Sequence, residues 1–171
     1  MASKLKREFF NRPTLEVARD LLGKVIVFND HKGTITETEA YIGEDDPACH
    51  AAKGRTKRTE IMYGKAGHAY IYLIYGMYYC LNFVTEKEGF PAAVLIRGAI
   101  EYSNNDATIN LNGPGKLCRQ FGISTKYNGI DITKSNDLYL LDSKENFNYI
   151  TSSRVGISKG IDKQWRFIVT T

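Results

Sequence analysis

Two carboxylates stand close together in a stretch that is rich in β-branched residues. Thr34 to Ile42 is predicted to be a strand, and alternation along it predicts one shared face for four residues: Ile35, Glu37, Glu39 and Tyr41. In a pocket beside an aromatic ring, burial would raise the pKa of such a carboxyl group and suit it to general-base catalysis. On an exposed strand the same acids would only be solvated. The spacing leaves both interpretations open.

Paired carboxylates are also typical of glycoside hydrolases. Those enzymes hold two carboxyl groups about 5–10 Å apart across the bond that they cleave. Neighbours on one strand face lie about 6.5–7 Å apart, from the rise per residue. The spacing of Glu37 and Glu39 therefore keeps a carbohydrate-directed glycoside hydrolase as an alternative.

A basic segment leads into a stretch with many tyrosines. Four basic residues occur within six positions: Lys53, Arg55, Lys57 and Arg58. Six tyrosines follow within seventeen positions: Tyr63, Tyr70, Tyr72, Tyr75, Tyr78 and Tyr79. Lys and Arg bind phosphate oxygens, and an aromatic ring stacked on an unpaired base contributes about 1–3 kcal/mol. The combination favours nucleic acid binding, although strands also favour tyrosine. A non-catalytic RNA- or single-strand-binding module is the second alternative.

Histidine and cysteine are too few and too scattered to indicate metal or thiol chemistry. The chain has three of each: His31, His50 and His68, and Cys49, Cys80 and Cys118. No two histidines have the spacing of a helical ligand pair, and three distant cysteines cannot form a disulfide framework or a four-cysteine site. Cys49 and His50 are neighbours, and adjacent side chains rarely face each other, which disfavours a catalytic dyad. We therefore expect no metal.

The composition is that of one folded domain. The 171 residues are 43% hydrophobic, and 23 Lys and Arg against 19 Asp and Glu leave a formal charge of +4. No apolar run reaches the length of about 18 residues that a membrane span needs, and residues 1–11 are too polar for a signal peptide. We expect a cytoplasmic protein, associated with the nucleoid if the source is bacterial. Residues 1–11 are expected to form a flexible N-terminal arm.

A few helices and several clustered strands are predicted. Proline before and glycine after mark two helices, Thr14–Leu22 and Lys116–Phe121. Strand patterns occupy residues 24–28, 34–42, 69–84 in two parts around Tyr75–Met77, 91–100, 138–141 and 165–169. Residues 45–67 have no period and are predicted to be irregular. These elements predict one α+β domain over residues 1–171, built on a curved, mostly antiparallel sheet.

Five segments of the chain carry patterns that are specific as a set. They are Glu37–Tyr41, Ala69–Asn82, Val94–Arg97, Gly113–Cys118 and Arg154–Gly156. Together, and in this order, they resemble the alkyladenine (3-methyladenine) DNA glycosylases of the mammalian type. The similarity extends from Leu15 to Val169, nearly the whole chain.

This resemblance implies a role for the matched residues of the site. Glu39 would activate the hydrolytic water, and Arg97 would help to hold that water and the nearby charge. Tyr41 would stack on one face of an extruded base, with His50 and Tyr72 on the other face. No metal or organic cofactor is implied.

Further implied roles concern the duplex. Tyr75 would enter the DNA and fill the space that the base has left, and Asn82 would crowd the 2-amino group of normal guanine. Contacts to the DNA backbone are expected from the basic loop as a group: Lys53, Arg55, Lys57 and Arg58. That loop is one residue shorter than in the mammalian form, so no individual phosphate contact is assigned.

The expected protein is a monofunctional DNA glycosylase of base excision repair. It would flip alkylated or deaminated purines out of double-stranded DNA and hydrolyse the N-glycosidic bond with an activated water. The expected substrates are 3-methyladenine, 7-methylguanine, hypoxanthine and ethenoadenine. We expect a monomer whose partner is double-stranded DNA containing a damaged purine.

Overall fold

Nine strands, paired antiparallel throughout, form one sheet in the computed structural model, which describes residues 2–170. In chain order they are β1 (Val25–Phe28), β2 (His31–Ile42), β3 (Ala69–Ile74), β4 (Tyr78–Val84), β5 (Ala92–Tyr102), β6 (Thr108–Asn112), β7 (Leu138–Leu141), β8 (Tyr149–Ser152) and β9 (Arg166–Val169). The strand order is β3-β4-β5-β2-β1-β7, with β6 on β5, β9 on β2 and β8 on β9. The sheet curls into a half-barrel, and the predicted α+β domain with a curved antiparallel sheet is confirmed.

Helices are short and few. They are α1 (Arg7–Phe10), α2 (Thr14–Asp20) and α3 (Pro114–Phe121), with 3₁₀ turns at His50–Lys53, Glu60–Tyr63 and Thr125–Tyr127. The predicted start and stop signals of α3 are confirmed, because Pro114 occupies the first turn and Gly122 follows the helix in a left-handed conformation with φ of 79°. Among residues 2–170, no helix is long and apolar enough to cross a membrane.

The main hydrophobic core lies between the sheet and the helices α2 and α3. Helix α2 buries Val17 and Ala18, and α3 buries Leu117 and Phe121. Strand β2 is tied to α2 by Thr38, whose Oγ1 donates to the carbonyl of Ala18 at 2.8 Å. One face of the central strand is thereby fixed to the core, which leaves its other face to form a site.

Two bulges interrupt the pairing of β2 with β5. Thr36 on β2 and Arg97 on β5 have no direct partner across the ladder, which shifts the register around Glu37. The extra residue reverses the side-chain alternation, so Ile35 packs in the core while Glu37 and Glu39 lie on the opposite face. The prediction that Ile35 shares a face with the two acids is wrong. Side chains alternate between the two faces of a strand only where its pairing with the neighbouring strand is regular.

The N-terminal residues pack on the domain. Leu5 is buried, its N–H donates to the carbonyl of Leu140 at 2.8 Å, and Phe10 is fully buried in the core. Arg7 donates to the carbonyl of Ala66 at 2.6 Å and forms an ion pair with Asp131. The flexible arm predicted for residues 1–11 is therefore wrong for residues 2–11; Met1 lies outside the described residues.

Two strands, β6 and β8, were not predicted from the sequence. Strand β6 lies in a polar stretch, and most of its residues, like most of β8, are exposed. Each strand pairs with one neighbour, β6 with β5 and β8 with β9. A strand at a sheet edge with both faces exposed to solvent has no alternation of apolar and polar residues. The hydrophobic pattern of the sequence therefore could not indicate it.

Candidate active site

A cavity of about 760 Å³ opens on the face of the sheet that carries Glu39. Its walls come from β2 to β5, from residues 48–62, from residues 112–116 at the start of α3 and from residues 155–157. Eight residues for which the resemblance implies a role in catalysis, base binding or DNA contact line it: Glu39, Tyr41, His50, Arg58, Tyr72, Tyr75, Asn82 and Arg97. The lining as a whole brings six separate stretches of sequence together in one place.

Glu39 is fully buried at this cavity and is held from both sides. Its Oε1 accepts a hydrogen bond from the Tyr41 hydroxyl at 2.8 Å, and its Oε2 accepts one from the N–H of Val155 at 2.6 Å. Burial raises the pKa of Glu39, against the opposing effects of Val155, Arg97 and Tyr41. The result is a fixed carboxyl group of enhanced basicity, which suits the removal of a proton from water.

Glu37 is engaged by two arginines. Its Oε2 accepts from Nε of Arg97 at 2.7 Å and from Nε of Arg166 at 3.2 Å, and its Oε1 accepts from Nη2 of Arg166 at 3.1 Å. Glu37 does not line the cavity, whereas Arg97 does. The two acids are therefore not equivalent: Glu39 faces the cavity, and Glu37 anchors Arg97 beside it.

Aromatic rings form one wall of the cavity. His50 and Tyr72 have ring centroids 4.5 Å apart with planes inclined by 62°. Nδ1 of His50 lies 2.9 Å from the hydroxyl oxygen of Tyr70. Burial, with the charges of Arg58 and Lys53, lowers the pKa of His50 to about 4, so the imidazole is neutral at pH 7. This neutral wall can stack on a planar base.

Asn82 lines the cavity and is held by the backbone. It is buried, and its Nδ2 donates to the carbonyl of Tyr70 at 3.0 Å. Tyr70 and Asn82 face each other across the β3–β4 ladder. An amide fixed in this way can discriminate between bases by its position, because it has little freedom to move aside.

Tyr75 projects from the hairpin between β3 and β4. It is 84% exposed, and Met77 beside it is 66% exposed. Tyr75 and Gly76 both have positive φ, 52° and 64°, a conformation that a tyrosine rarely adopts. The tight turn predicted here is confirmed, and it points an aromatic ring out of the domain next to the cavity.

The basic loop divides into residues with different surroundings. Arg58 lines the cavity, with its guanidinium carbon 5.2 Å from the centroid of the Tyr72 ring. Arg55 donates from Nε and Nη2 to the Glu60 carboxylate, both at 2.8 Å. Lys53 and Lys57 are exposed and do not line the cavity. The loop is thus not one uniform surface.

Comparison with known proteins identifies the kind of site. The sequence pattern of the family described as Methylpurine-DNA glycosylase (MPG) matches residues 8–171. This chain belongs to the methylpurine-DNA glycosylase family.

Similar proteins come from several bacteria. One from Rickettsia felis is 57% identical over 166 residues, which cover 97% of this chain and 93% of that protein. One from Ehrlichia chaffeensis is 54% identical over 166 residues, covering 96% and 92%. One from Rickettsia prowazekii is 48% identical over 205 residues, covering 97% and 94%. Each bears the provisional name 3-methyladenine DNA glycosylase.

Membership in the methylpurine-DNA glycosylase family confirms the predicted reaction class. The protein is a DNA glycosylase, a hydrolase that acts on an N-glycosidic bond in the repair of alkylated DNA. The carbohydrate hydrolase and the non-catalytic binding module are set aside. Within residues 2–170, no three His, Cys, Asp or Glu side chains converge to hold a metal ion. The expectation of no cofactor stays a prediction.

The structure of this glycosylase adds site residues that side-chain patterns did not indicate. Val155 acts through its backbone, so its residue type gives no signal, although it lies in one of the five matched segments. Arg166 acts through Glu37, and only the β2–β9 pairing brings the two together. Lys116 lines the cavity at the first turn of α3.

The start of α3 is packed tightly on the rim of the glycosylase cavity. A Cβ built on Gly115 would lie 2.7 Å from Cδ1 of Tyr78, closer than two carbons can approach. Glycine at this position therefore allows the helix to meet the hairpin that carries Tyr75. This explains part of the Gly113–Cys118 pattern in physical terms.

Proposed function

We propose that this protein is a monofunctional glycosylase that flips alkylated or deaminated purines out of duplex DNA and releases them by hydrolysis. The observation that carries the proposal is the setting of Glu39: fully buried, facing a cavity, with a raised pKa and with Arg97 beside it. A buried carboxylate next to a planar aromatic wall suits the chemistry of an extruded nucleotide.

Water is the nucleophile in the proposed reaction. Glu39 takes a proton from a water molecule as its oxygen bonds to C1′ of the sugar. The bond from C1′ to the purine nitrogen breaks, and its electron pair leaves with the base. Arg97, whose Nε lies 3.8 Å from Oε2 of Glu39, helps to hold the water and the surrounding charge. The product is an abasic site.

The base would be held in the cavity by stacking. Tyr41 would cover one face, and His50 with Tyr72 would cover the other; all three side chains line the cavity. Asn82 would crowd the 2-amino group of guanine. Tyr75, exposed beside the opening, would enter the duplex and occupy the vacated stack. The substrates are 3-methyladenine, 7-methylguanine, hypoxanthine and ethenoadenine.

Binding of the duplex backbone is assigned to the basic loop. Arg58 is the member at the cavity, and Lys53 and Lys57 are exposed and available to phosphates. Arg55 would exchange its ion pair with Glu60 for a phosphate. The monomeric state and the cytoplasmic location, next to the nucleoid in a bacterium, stay predictions.

The proposal is tested with a duplex that carries a single hypoxanthine. After incubation with the protein, alkali cleaves the strand wherever a base has been removed. Scission at the hypoxanthine, absent with Glu39→Gln, is the expected result. A strand that remains intact after incubation with folded protein would contradict the proposed activity on deaminated purines; a second duplex with 7-methylguanine then tests the alkylated class separately.

A further inference from the structure

The backbone of Val155 supplies a donor to Glu39 from a distant part of the chain. Its N–H reaches Oε2 of Glu39 at 2.6 Å across 116 positions of sequence. Residues 153–165 lie between β8 and β9 and include no helix or strand. Val155 itself is 42% exposed, so its own packing cannot hold the amide in place. Another group must fix this segment.

The neighbouring Arg154 is buried and ties the segment to the end of β2. Its Nη1 donates to the carbonyl of Ala40 at 3.0 Å and to Oδ2 of Asp46 at 2.6 Å, and its Nη2 donates to Oδ1 of Asp46 at 2.9 Å. The guanidinium carbon lies 4.7 Å from the centroid of the Tyr41 ring and 5.1 Å from that of Trp165. Both charged side chains are fully shielded from solvent.

Asp46 is fixed in turn by backbone groups. Its Oδ2 accepts from the N–H of Ile42 at 3.0 Å, and its Oδ1 accepts from the N–H of Ala48 at 3.1 Å. Ile42 is the last residue of β2, the strand that carries Glu39. A continuous set of contacts therefore leads from this strand through Asp46 to the segment that begins at Arg154.

We propose that the buried Asp46–Arg154 pair is a positioning pair. It holds the Val155 amide on Glu39 and thereby favours the ionised carboxylate, which can take a proton from water. This rests on the role of Glu39 under the proposed function. Removing two charges from water is costly, and apolar residues often stabilise such a space equally well. Positioning of the Val155 amide explains why two charged residues occupy this buried space. Arg154 does not line the cavity, so it acts through Val155.

Other groups also face Glu39. They are Glu37 and Tyr41 on β2, Arg97 on β5, Tyr72 on β3 and Cys80 on β4. Burial raises the pKa of Glu39, and the Val155 amide opposes that effect more strongly than Arg97 or Tyr41 does. If the amide is displaced, ionisation of Glu39 becomes harder, and the acidic limb of the pH–rate profile moves to higher pH.

The first test is Arg154→Lys, which keeps the charge but loses the paired contact to Asp46. Single-turnover excision of hypoxanthine is measured from pH 5 to pH 9 on protein confirmed to be folded. We expect a rate loss of about tenfold at acidic pH, the value of one hydrogen bond to a charged group, that shrinks as pH rises. Asp46→Asn should show the same displacement of the acidic limb.

Arg7→Lys is the matched control. Arg7 forms an ion pair with Asp131 and donates to a backbone carbonyl, as Arg154 does, but it does not line the cavity and does not contact Glu39. Its replacement should lower the melting temperature without moving the acidic limb. If Arg154→Lys behaves in the same way, the Asp46–Arg154 pair has only a structural role and the proposal fails.

A second measurement needs no turnover and no change at Arg154 or Asp46. In the wild-type protein, the amide proton of Val155 is followed by NMR as a function of pH. We expect its chemical shift to titrate with a single midpoint that Glu39→Gln abolishes. If the chemical shift of the Val155 amide does not follow the ionisation of Glu39, the positioning role is wrong. Because this readout is independent of base excision, it separates a failure of positioning from a failure of the proposed function.

Discussion

Arg97 donates from Nε to Glu37 at 2.7 Å, while the same nitrogen lies 3.8 Å from Oε2 of Glu39. The arginine thus touches one acid and stands beside the other. Glu37 also binds Arg166, which leaves Glu39 as the carboxylate that faces the cavity. This arrangement assigns the two neighbouring acids different tasks, and it makes the consequences of replacing them unequal.

Glu39→Gln should lower base release by about 10²- to 10⁴-fold, because it keeps the shape of the side chain and removes the general base. Binding of lesion-containing duplex should stay within a few-fold of wild type. Single-turnover excision and a binding titration measure the two effects. Glu37→Gln is the matched control and should be milder, since it disturbs Arg97 without removing the base. Equal losses at both positions would instead support a paired-acid mechanism.

Glu39→Gln should also change how stability depends on pH. Burial raises the pKa of Glu39 above the ordinary value of 4.5. A raised pKa in the folded state means that the contribution of Glu39 to stability is fully present below the unfolded value and is lost as pH rises through the folded value. The melting temperature of Glu39→Gln relative to wild type should therefore increase from pH 4.5 to pH 8. A difference that stays constant over this range would contradict the raised pKa.

The affinity for duplex should fall as salt rises, with a log–log slope of about −0.9 per phosphate neutralised. Replacing the four basic loop residues together by Gln should flatten that slope: Lys53, Arg55, Lys57 and Arg58. Replacing Arg55 alone should change the slope least, because it already binds Glu60. Lys144→Gln, an exposed residue that does not line the cavity, is the control. An unchanged slope in the quadruple variant would make the loop a solvated surface.

Borohydride reduction during turnover should trap no covalent adduct between protein and DNA. The proposed nucleophile is water, so no Schiff base forms. Lys116 is the lysine that lines the cavity and is the residue to examine if an adduct is seen. An adduct that disappears with Lys116→Arg would show that the protein is also a lyase, and the water mechanism would then be wrong.

Tyr75→Ala should slow excision from a well-paired duplex more than from a mismatched one, because extrusion of a paired base costs more and depends more on a side chain that fills the gap. Since Tyr75 is 84% exposed, stability should change by no more than about 0.5 kcal/mol. Tyr102→Ala, at a tyrosine that is 61% exposed and does not line the cavity, is the control and should leave both rates unchanged. A uniform loss on both duplexes with a large fall in melting temperature would rule out the proposed insertion of Tyr75 into the duplex.

The sequence alone determined the elements whose signals are local. The proline and glycine that bound α3, the strand pattern of residues 24–28 and the turn at Tyr75–Gly76 depend on a few adjacent residues, and each lies where it was predicted. The five matched segments also sufficed to identify the family, since they carry the cavity-lining side chains Glu39 and Arg97.

Only the tertiary structure decided how Glu39 is held. The bulges at Thr36 and Arg97 depend on pairing between β2 and β5, and no local period can show them. The Val155 amide reaches Glu39 from 116 positions away, and a backbone donor has no side chain for a pattern to detect. Contacts between distant segments form only when the sheet curls and brings them together, which is why the sequence indicated side chains that line the cavity and did not indicate its geometry.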